Sequence, residues 1–142
     1  TGVSALGAGT TAAVLLPAST FLLREGAPPV AALRDAGAAI AIATDLNPGT
    51  SPVCSMPEAI AMSCTIYGMG PQAAIVAATA NPAWVLGLDD RLGRIEPGMR
   101  ADLVLLEEAD VAHIPYRPGH DPVTATFVGG VRIFTRGSSV SD

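Results

Sequence analysis

Two runs of small and β-branched side chains mark the first third of the chain. Residues 10–16 (TTAAVLL) become apolar towards Leu16 and stop at Pro17, and residues 38–44 (AAIAIAT) carry no polar interruption before Thr44. Short apolar runs bounded by turn formers predict buried strands. Between them Pro28-Pro29 opens a helix, proline being suited to the first turn. Val30, Leu33 and Ala36 give that helix an inner face, Arg34 and Asp35 an outer one, and Gly37 ends it. Strand, helix, strand reads as a β-α-β unit with two parallel strands and a right-handed crossover. Ahead of it, residues 1–8 place Val3 and Leu6 on the tail of a helix stopped by Gly9. Pro17-Ala18-Ser19-Thr20 is expected as a loop, and residues 21–26 as a short helical turn.

Further along, Ser55-Met56-Pro57-Glu58 reads as a capping box, in which Ser55 accepts from the Glu58 N–H and the Glu58 side chain reaches back. Its helix runs to about Tyr67, with Ile60, Cys64 and Tyr67 on one face, and Gly68 and Gly70 end it. Pro71 starts a helix over 72–79. Asn81-Pro82 caps a third, short helix through Trp84, Val85 and Leu86, apolar positions expected in the core. Residues 91–100 are turn-rich and charged, 101–106 form a strand, and 107–122 are irregular. Strands at 123–128 and 131–134 meet at Gly129-Gly130, a hairpin signal. The expected fold class is α/β: residues 1–90 an α/β part, 91–136 a small β part, 137–142 a polar tail.

The second apolar run delivers Asp45 into Leu46-Asn47-Pro48-Gly49-Thr50-Ser51-Pro52, a cluster of turn formers. A buried strand ending on a carboxylate in a polar loop is how α/β enzymes present a catalytic or metal-binding group, and in a β/α barrel it lies on the active-site rim. A plain strand-end or Asx-turn acid competes with that reading on the residues alone.

Composition narrows the classes. Of 142 residues, 49% are hydrophobic, 15% charged and 4% aromatic, so the core is built from small, closely packed side chains. The net charge of −5 comes with no basic patch, which argues against nucleic acid as a partner. No apolar run approaches the ~20 residues of a bilayer span, and no basic-then-apolar leader opens the chain. Cys54 and Cys64 lack CxxC spacing and are expected to be free, reduced and packed as small hydrophobes in a cytoplasmic protein. The chain opens without a methionine, in what reads as the middle of a helix. A closed barrel takes about 250 residues, so a barrel would be represented here only in part.

Two stretches carry a family resemblance. Leu92-Gly93-Arg94-Ile95-Glu96-Pro97-Gly98-Met99-Arg100-Ala101-Asp102-Leu103-Val104 resembles the LGxIxxGxxADLV tail of the amidohydrolase superfamily, where the chain leaves a metal-dependent (β/α)8 barrel for a small β-sandwich. Residues 43–52 (ATDLNPGTSP) look like the ATDxNPGTSP segment of imidazolonepropionases. Val14-Leu15-Leu16-Pro17 leading to Phe21-Leu22-Leu23-Arg24-Glu25, and His113-Ile114-Pro115-Tyr116, agree with that family in order.

The resemblance implies the C-terminal portion of a TIM-like barrel enzyme plus terminal sandwich strands. The family hydrolyses 4-imidazolone-5-propanoate to N-formimidoyl-L-glutamate in histidine degradation, with one bound Zn or Fe. By resemblance Asp45 is the metal ligand and the acceptor of the water's proton; Asn47 and Gly49 contact the product, and Thr50 the imidazolone. A carboxylate suits Zn or Fe, Asn47 supplies an amide donor and acceptor, and Gly49 lets backbone approach a ligand. The family's His-x-His pair, its further metal-binding His and its substrate-binding Arg, Tyr, His and Glu lie upstream of what is present. His113 and His120 match no ligand position and read as structural or surface histidines. A catalytic zinc usually has three protein ligands, so this chain alone is expected to be inactive and to cover its open barrel edge with the missing N-terminal portion or another copy. The alternatives are another amidohydrolase, such as an aminohydrolase acting on a nucleobase-like ring, and a non-catalytic remnant or interaction module.

Overall fold

The computed structural model describes residues 2–137; most of the expected polar tail, 138–142, lies outside the described residues. Helix α1 (Gly2–Ala8) precedes strand β1 (Ala13–Leu15), helix α2 (Pro17–Leu23), helix α3 (Val30–Asp35) and strand β2 (Ile40–Ile42). β1 and β2 pair in parallel, with Val14 opposite Ala41. Each strand is shorter than its apolar run. The Ala13 N–H to Ala39 O and Ala43 N–H to Leu15 O bonds, at 2.9 and 3.1 Å, close the ladder at its two ends. All three residues of β2 are buried.

The expected loop at 17–20 is instead the first turn of α2. Pro17 occupies its start, where a fixed φ favours the helix and the missing N–H costs nothing. The Thr20 N–H bonds to Leu16 O at 3.0 Å, and Arg24, at φ 55°, closes the helix in the left-handed conformation.

Helix α4 (Met56–Tyr67) is capped by Ser55, whose hydroxyl accepts from the Glu58 N–H at 3.3 Å. The reciprocal half of the expected box is not made: the Glu58 carboxylate accepts from the Gly119 N–H at 2.5 Å, a partner sixty-one residues away. Ile60 and Tyr67 are buried and Cys64 partly so, as the spacing predicts. Helices α5 (Pro71–Ala78) and α6 (Ala80–Val85) follow. Asn81 does not cap α6; it lies inside the helix and its Nδ2 donates to Ile40 O at 2.7 Å, tying α6 to β2. A helix of six residues turns little of itself inward, so Ala83 is buried while Trp84, expected in the core, is 39% exposed.

Strands β3 (Leu103–Leu106), β4 (Val123–Val128) and β5 (Val131–Thr135) form an antiparallel sheet in the order β3-β4-β5. Gly129 and Gly130, at φ 57° and 81°, supply the two positive-φ positions of the predicted hairpin. Asp102 holds that turn: its Oδ1 accepts from the Gly129 N–H at 2.7 Å and pairs with Arg100 at 3.0 Å. Within the segment expected to be irregular, α7 (His113–Tyr116) buries Ile114 in the same cluster as Leu15, Leu33, Ile42 and Ile60. Gly93 is required by packing, since a Cβ there would sit 2.7 Å from Ala83 Cβ and 2.9 Å from Thr79 O. The turn of the LGxI motif thus rests directly on α6.

Charged groups lock the far side of this sheet. Glu107 bonds to His120 and pairs with Arg136 at 2.8 Å and Arg117 at 3.5 Å. Chiefly through the His120 hydrogen bond, this holds the Glu107 carboxyl below its usual 4.5. A carboxyl depressed in the folded state contributes stability above its unfolded value, and that contribution is lost as pH falls through 4.5 and then through the folded value. Glu107→Gln should therefore flatten the acid limb of a melting-temperature profile, below the unfolded value of 4.5. An unchanged acid limb would contradict the assignment. Ser63 is wholly buried and its hydroxyl has no partner among the described residues. Ser63→Ala should stabilise the fold by about 1 kcal/mol, because an unmet hydroxyl is removed, and raise the urea midpoint accordingly.

Candidate active site

Parallel pairing places the carboxyl ends of β1 and β2 side by side. From the first emerges the opening turn of α2; from the second, the loop that begins at Asp45. Asp45 is exposed and has φ 52°, a left-handed conformation that Asp tolerates better than most residues. Two bonds fix it. Ser19, 8% exposed in the first turn of α2, donates from Oγ to Asp45 Oδ2 at 2.8 Å. Asn47 Nδ2 donates to the Asp45 carbonyl oxygen at 2.6 Å, and lies 3.4 Å from Oδ2. Oδ1 has no partner among the described residues.

Asn47 organises the rest of the loop. Its Oδ1 accepts from the N–H groups of Gly49 and Thr50, at 2.9 and 2.8 Å, and its Nδ2 reaches Thr50 Oγ1 at 3.2 Å. The Asn47 N–H bonds to Ser51 O at 2.9 Å, closing the loop on itself. Ser51 is fully buried and donates to Thr44 O at 2.5 Å. The structure thus gathers Asp45, Asn47, Gly49 and Thr50 in one small loop. Both ends of the Asn47 amide are engaged within it, and a Cβ at Gly49 would lie 3.3 Å from Asn47 Oδ1.

Ser19 and its neighbour Thr20 were not legible as site residues. Thr20 Oγ1 and the Tyr67 hydroxyl lie 2.8 Å apart, pinning the opening of α2 to α4. Burial raises the Tyr67 phenol above its usual value, the Thr20 bond opposing that shift, so it is a neutral partner at pH 7. The signal in the sequence was position: Ser19-Thr20 follows an apolar run just as Asp45 does.

Asp45 offers one oxygen donor of the kind Zn and Fe accept. Among the described residues no three His, Cys, Asp or Glu side chains gather to hold a metal ion. His113 is engaged by Glu108 at 3.2 Å and His120 by Glu107. The donor chemistry therefore fits a single position in a coordination sphere. Cys64 lies partly buried, and that burial raises its thiol above the usual value, while Cys54 is exposed. Among the described residues no helix is long and apolar enough to cross a membrane. Two clefts, of about 460 and 290 Å³, are lined by other residues and include none of Asp45, Asn47, Gly49 and Thr50.

An α/β chain that ends a buried parallel strand on such a carboxylate matches the amidohydrolase family profile over residues 2–133, and the chain belongs to that family. It is 47% identical over 129 residues to the imidazolonepropionase of Rubrobacter xylanophilus, an alignment covering 91% of this chain and 31% of that protein. With the imidazolonepropionase of Paracoccus denitrificans it shares 48% identity over 130 residues, covering 91% of this chain and 32% of that protein. The chain thus spans about a third of the length of the curated relatives it matches. Its fold is that of part of an adenosine deaminase from Xanthomonas campestris solved with bound zinc. The TM-score is 0.87 at 23% identity, covering 99% of this chain and 36% of that one.

The loop geometry has a direct test. Asn47→Ala removes the acceptor of two backbone N–H groups and should cost about 1–2 kcal/mol. Amide hydrogen exchange at Gly49 and Thr50 should accelerate more than in β2 and α4, where it rises by no more than the loss of global stability allows. Unaltered exchange at those two amides would show that Asn47 is not the organiser of the loop.

Proposed function

We propose that this chain is the C-terminal third of an imidazolonepropionase, a cytoplasmic enzyme that hydrolyses 4-imidazolone-5-propanoate to N-formimidoyl-L-glutamate in histidine degradation. The carrying observation is the 47–48% identity to imidazolonepropionases across nine-tenths of the chain, with Asp45, Asn47, Gly49 and Thr50 folded into one loop at a strand end. In this reading β1 and β2 are the last strands of a (β/α)8 barrel, with α4 to α6 following the final one. Residues 1–90 are then barrel, and β3 to β5, within 91–136, belong to a small β-sandwich. The rest of the protein supplies the remaining barrel strands and the histidine ligands. It also covers the apolar side chains of α2 that stand exposed here, Phe21, Leu22 and Leu23.

Asp45 would hold one Zn or Fe ion together with those histidines. When bound, the ion supplies Lewis-acid activation of water and of the ring carbonyl. Asp45 accepts the proton of the attacking water on its carboxylate, a step for which its exposed position at the strand end is suited. Asn47 keeps Gly49 and Thr50 in register, so that their backbone and hydroxyl groups face the propanoate-bearing ring and, after opening, the formimidoyl product. Opening consumes one water and breaks the ring C–N bond at the carbonyl, leaving the new carboxylate of glutamate.

The full-length protein carrying this chain should hydrolyse imidazolone-propanoate, and Asp45→Asn should lower kcat/KM by at least about 10²-fold. The isolated 142-residue chain should show no turnover. Release of ammonia from a purine, with no hydrolysis of the imidazolone, would instead place the protein with the deaminases.

A further inference from the structure

Asp45 is exposed and sits at the mouth of a loop, yet its carboxylate is not free to turn. A metal ligand of this kind binds best when the plane of its carboxylate is held in one orientation. In the described residues that constraint comes from the neighbouring strand end. Ser19 Oγ donates to Oδ2 at 2.8 Å; the other side-chain donor near that oxygen, Asn47 Nδ2, stands 3.4 Å away, too long to hold it alone.

We infer that Ser19 is a positioning residue, which occupies Oδ2 so that Asp45 meets the metal through Oδ1. The inference rests on the reading of Asp45 as a ligand given above. Ser19 is itself fixed. Pro17 and Ala18 are buried beside it, and Thr20, the next residue, is pinned to the buried Tyr67 at 2.8 Å. The chain of contacts Tyr67, Thr20, Ser19, Asp45 transmits the rigidity of α4 to a carboxylate that lies outside the core. One oxygen engaged by a hydroxyl and one without a partner is the arrangement that favours monodentate ligation. A carboxylate released from Ser19 would swing about its terminal torsion and offer either oxygen, or both. Outer partners of metal ligands commonly govern affinity by such orientation.

The test uses the full-length protein, stripped of metal and titrated with cobalt(II). Ser19→Ala should weaken cobalt binding about 10- to 100-fold and alter the visible d–d spectrum, reporting a changed ligand set. The melting temperature of the metal-free protein should stay as in the wild type. Should the alanine variant fail to fold, Ser19→Gly also removes the hydroxyl without adding a metal-binding group and should show the same direction of change. A cobalt titration that superimposes on the wild type in both affinity and spectrum overturns the inference. Asp45→Asn separates the two ideas. If it abolishes binding while Ser19→Ala does nothing, only the role of Ser19 falls; if it binds cobalt like the wild type, the ligand reading of Asp45 falls and takes this inference with it.

Discussion

Leu15 lies opposite Ile42 in a parallel pair, and the level at which that pair ends fixes where chemistry can be placed. Three residues beyond Ile42 the chain reaches Asp45, and four beyond Leu15 it reaches Ser19. Because the strands run the same way, these two departures share one side of the sheet, and an oxygen of each meets at hydrogen-bond distance. An antiparallel pair would have sent them to opposite ends. β2 is buried along its whole length, so its direction is held by packing on both faces, and Asn81 adds a bond to Ile40 O from α6. The acid that leaves such a strand inherits its rigidity, whereas a carboxylate on a free loop would not.

Around that pair, α4 acts as a hub. Its N-terminus, capped by Ser55, receives the chain from the Asp45 loop; its C-terminus presents Tyr67 to α2; Glu58 in its first turn holds Gly119. Ile114 of α7 enters the same cluster of buried side chains as Ile60. The segment leading into the antiparallel sheet is therefore anchored to the helix that follows the Asp45 loop. Side-chain hydrogen bonds and apolar packing make these long-range links, because a sheet of two three-residue strands offers few ladder bonds of its own.

The β-α-β unit and the closing hairpin were legible because each rests on local chemistry: uninterrupted apolar runs, a proline start, a glycine pair that tolerates positive φ. Asp45 was legible as the residue at which an apolar strand meets turn formers, and its loop partners by their motif. What stayed hidden has a common cause. Asn81, Glu58 and Ser19 each carry the side-chain type of a local cap or loop, and each spends it on a residue 26 to 61 positions away. Local rules assign such side chains to the nearest backbone; tertiary proximity overrides them. Pro17 erred in the other direction, since a proline after a strand ends one element and starts the next with equal ease.

Alanine fills this core to an unusual degree: Ala18, Ala41, Ala59, Ala61, Ala74, Ala77 and Ala83 are all buried. A core of leucines fails by losing atoms and opening cavities. At these alanines there is almost nothing to lose, whereas Leu15, Leu33, Ile40, Ile42 and Ile60 in the same core can still open cavities on truncation. At the alanine positions the mutational load therefore falls on one side. Substitutions that enlarge a side chain, such as alanine to valine, force elements apart and cost about 1–3 kcal/mol each, while those that shrink it lead only to glycine. Drift at these positions is channelled towards paired exchanges, in which one side chain grows only as a facing one gives way.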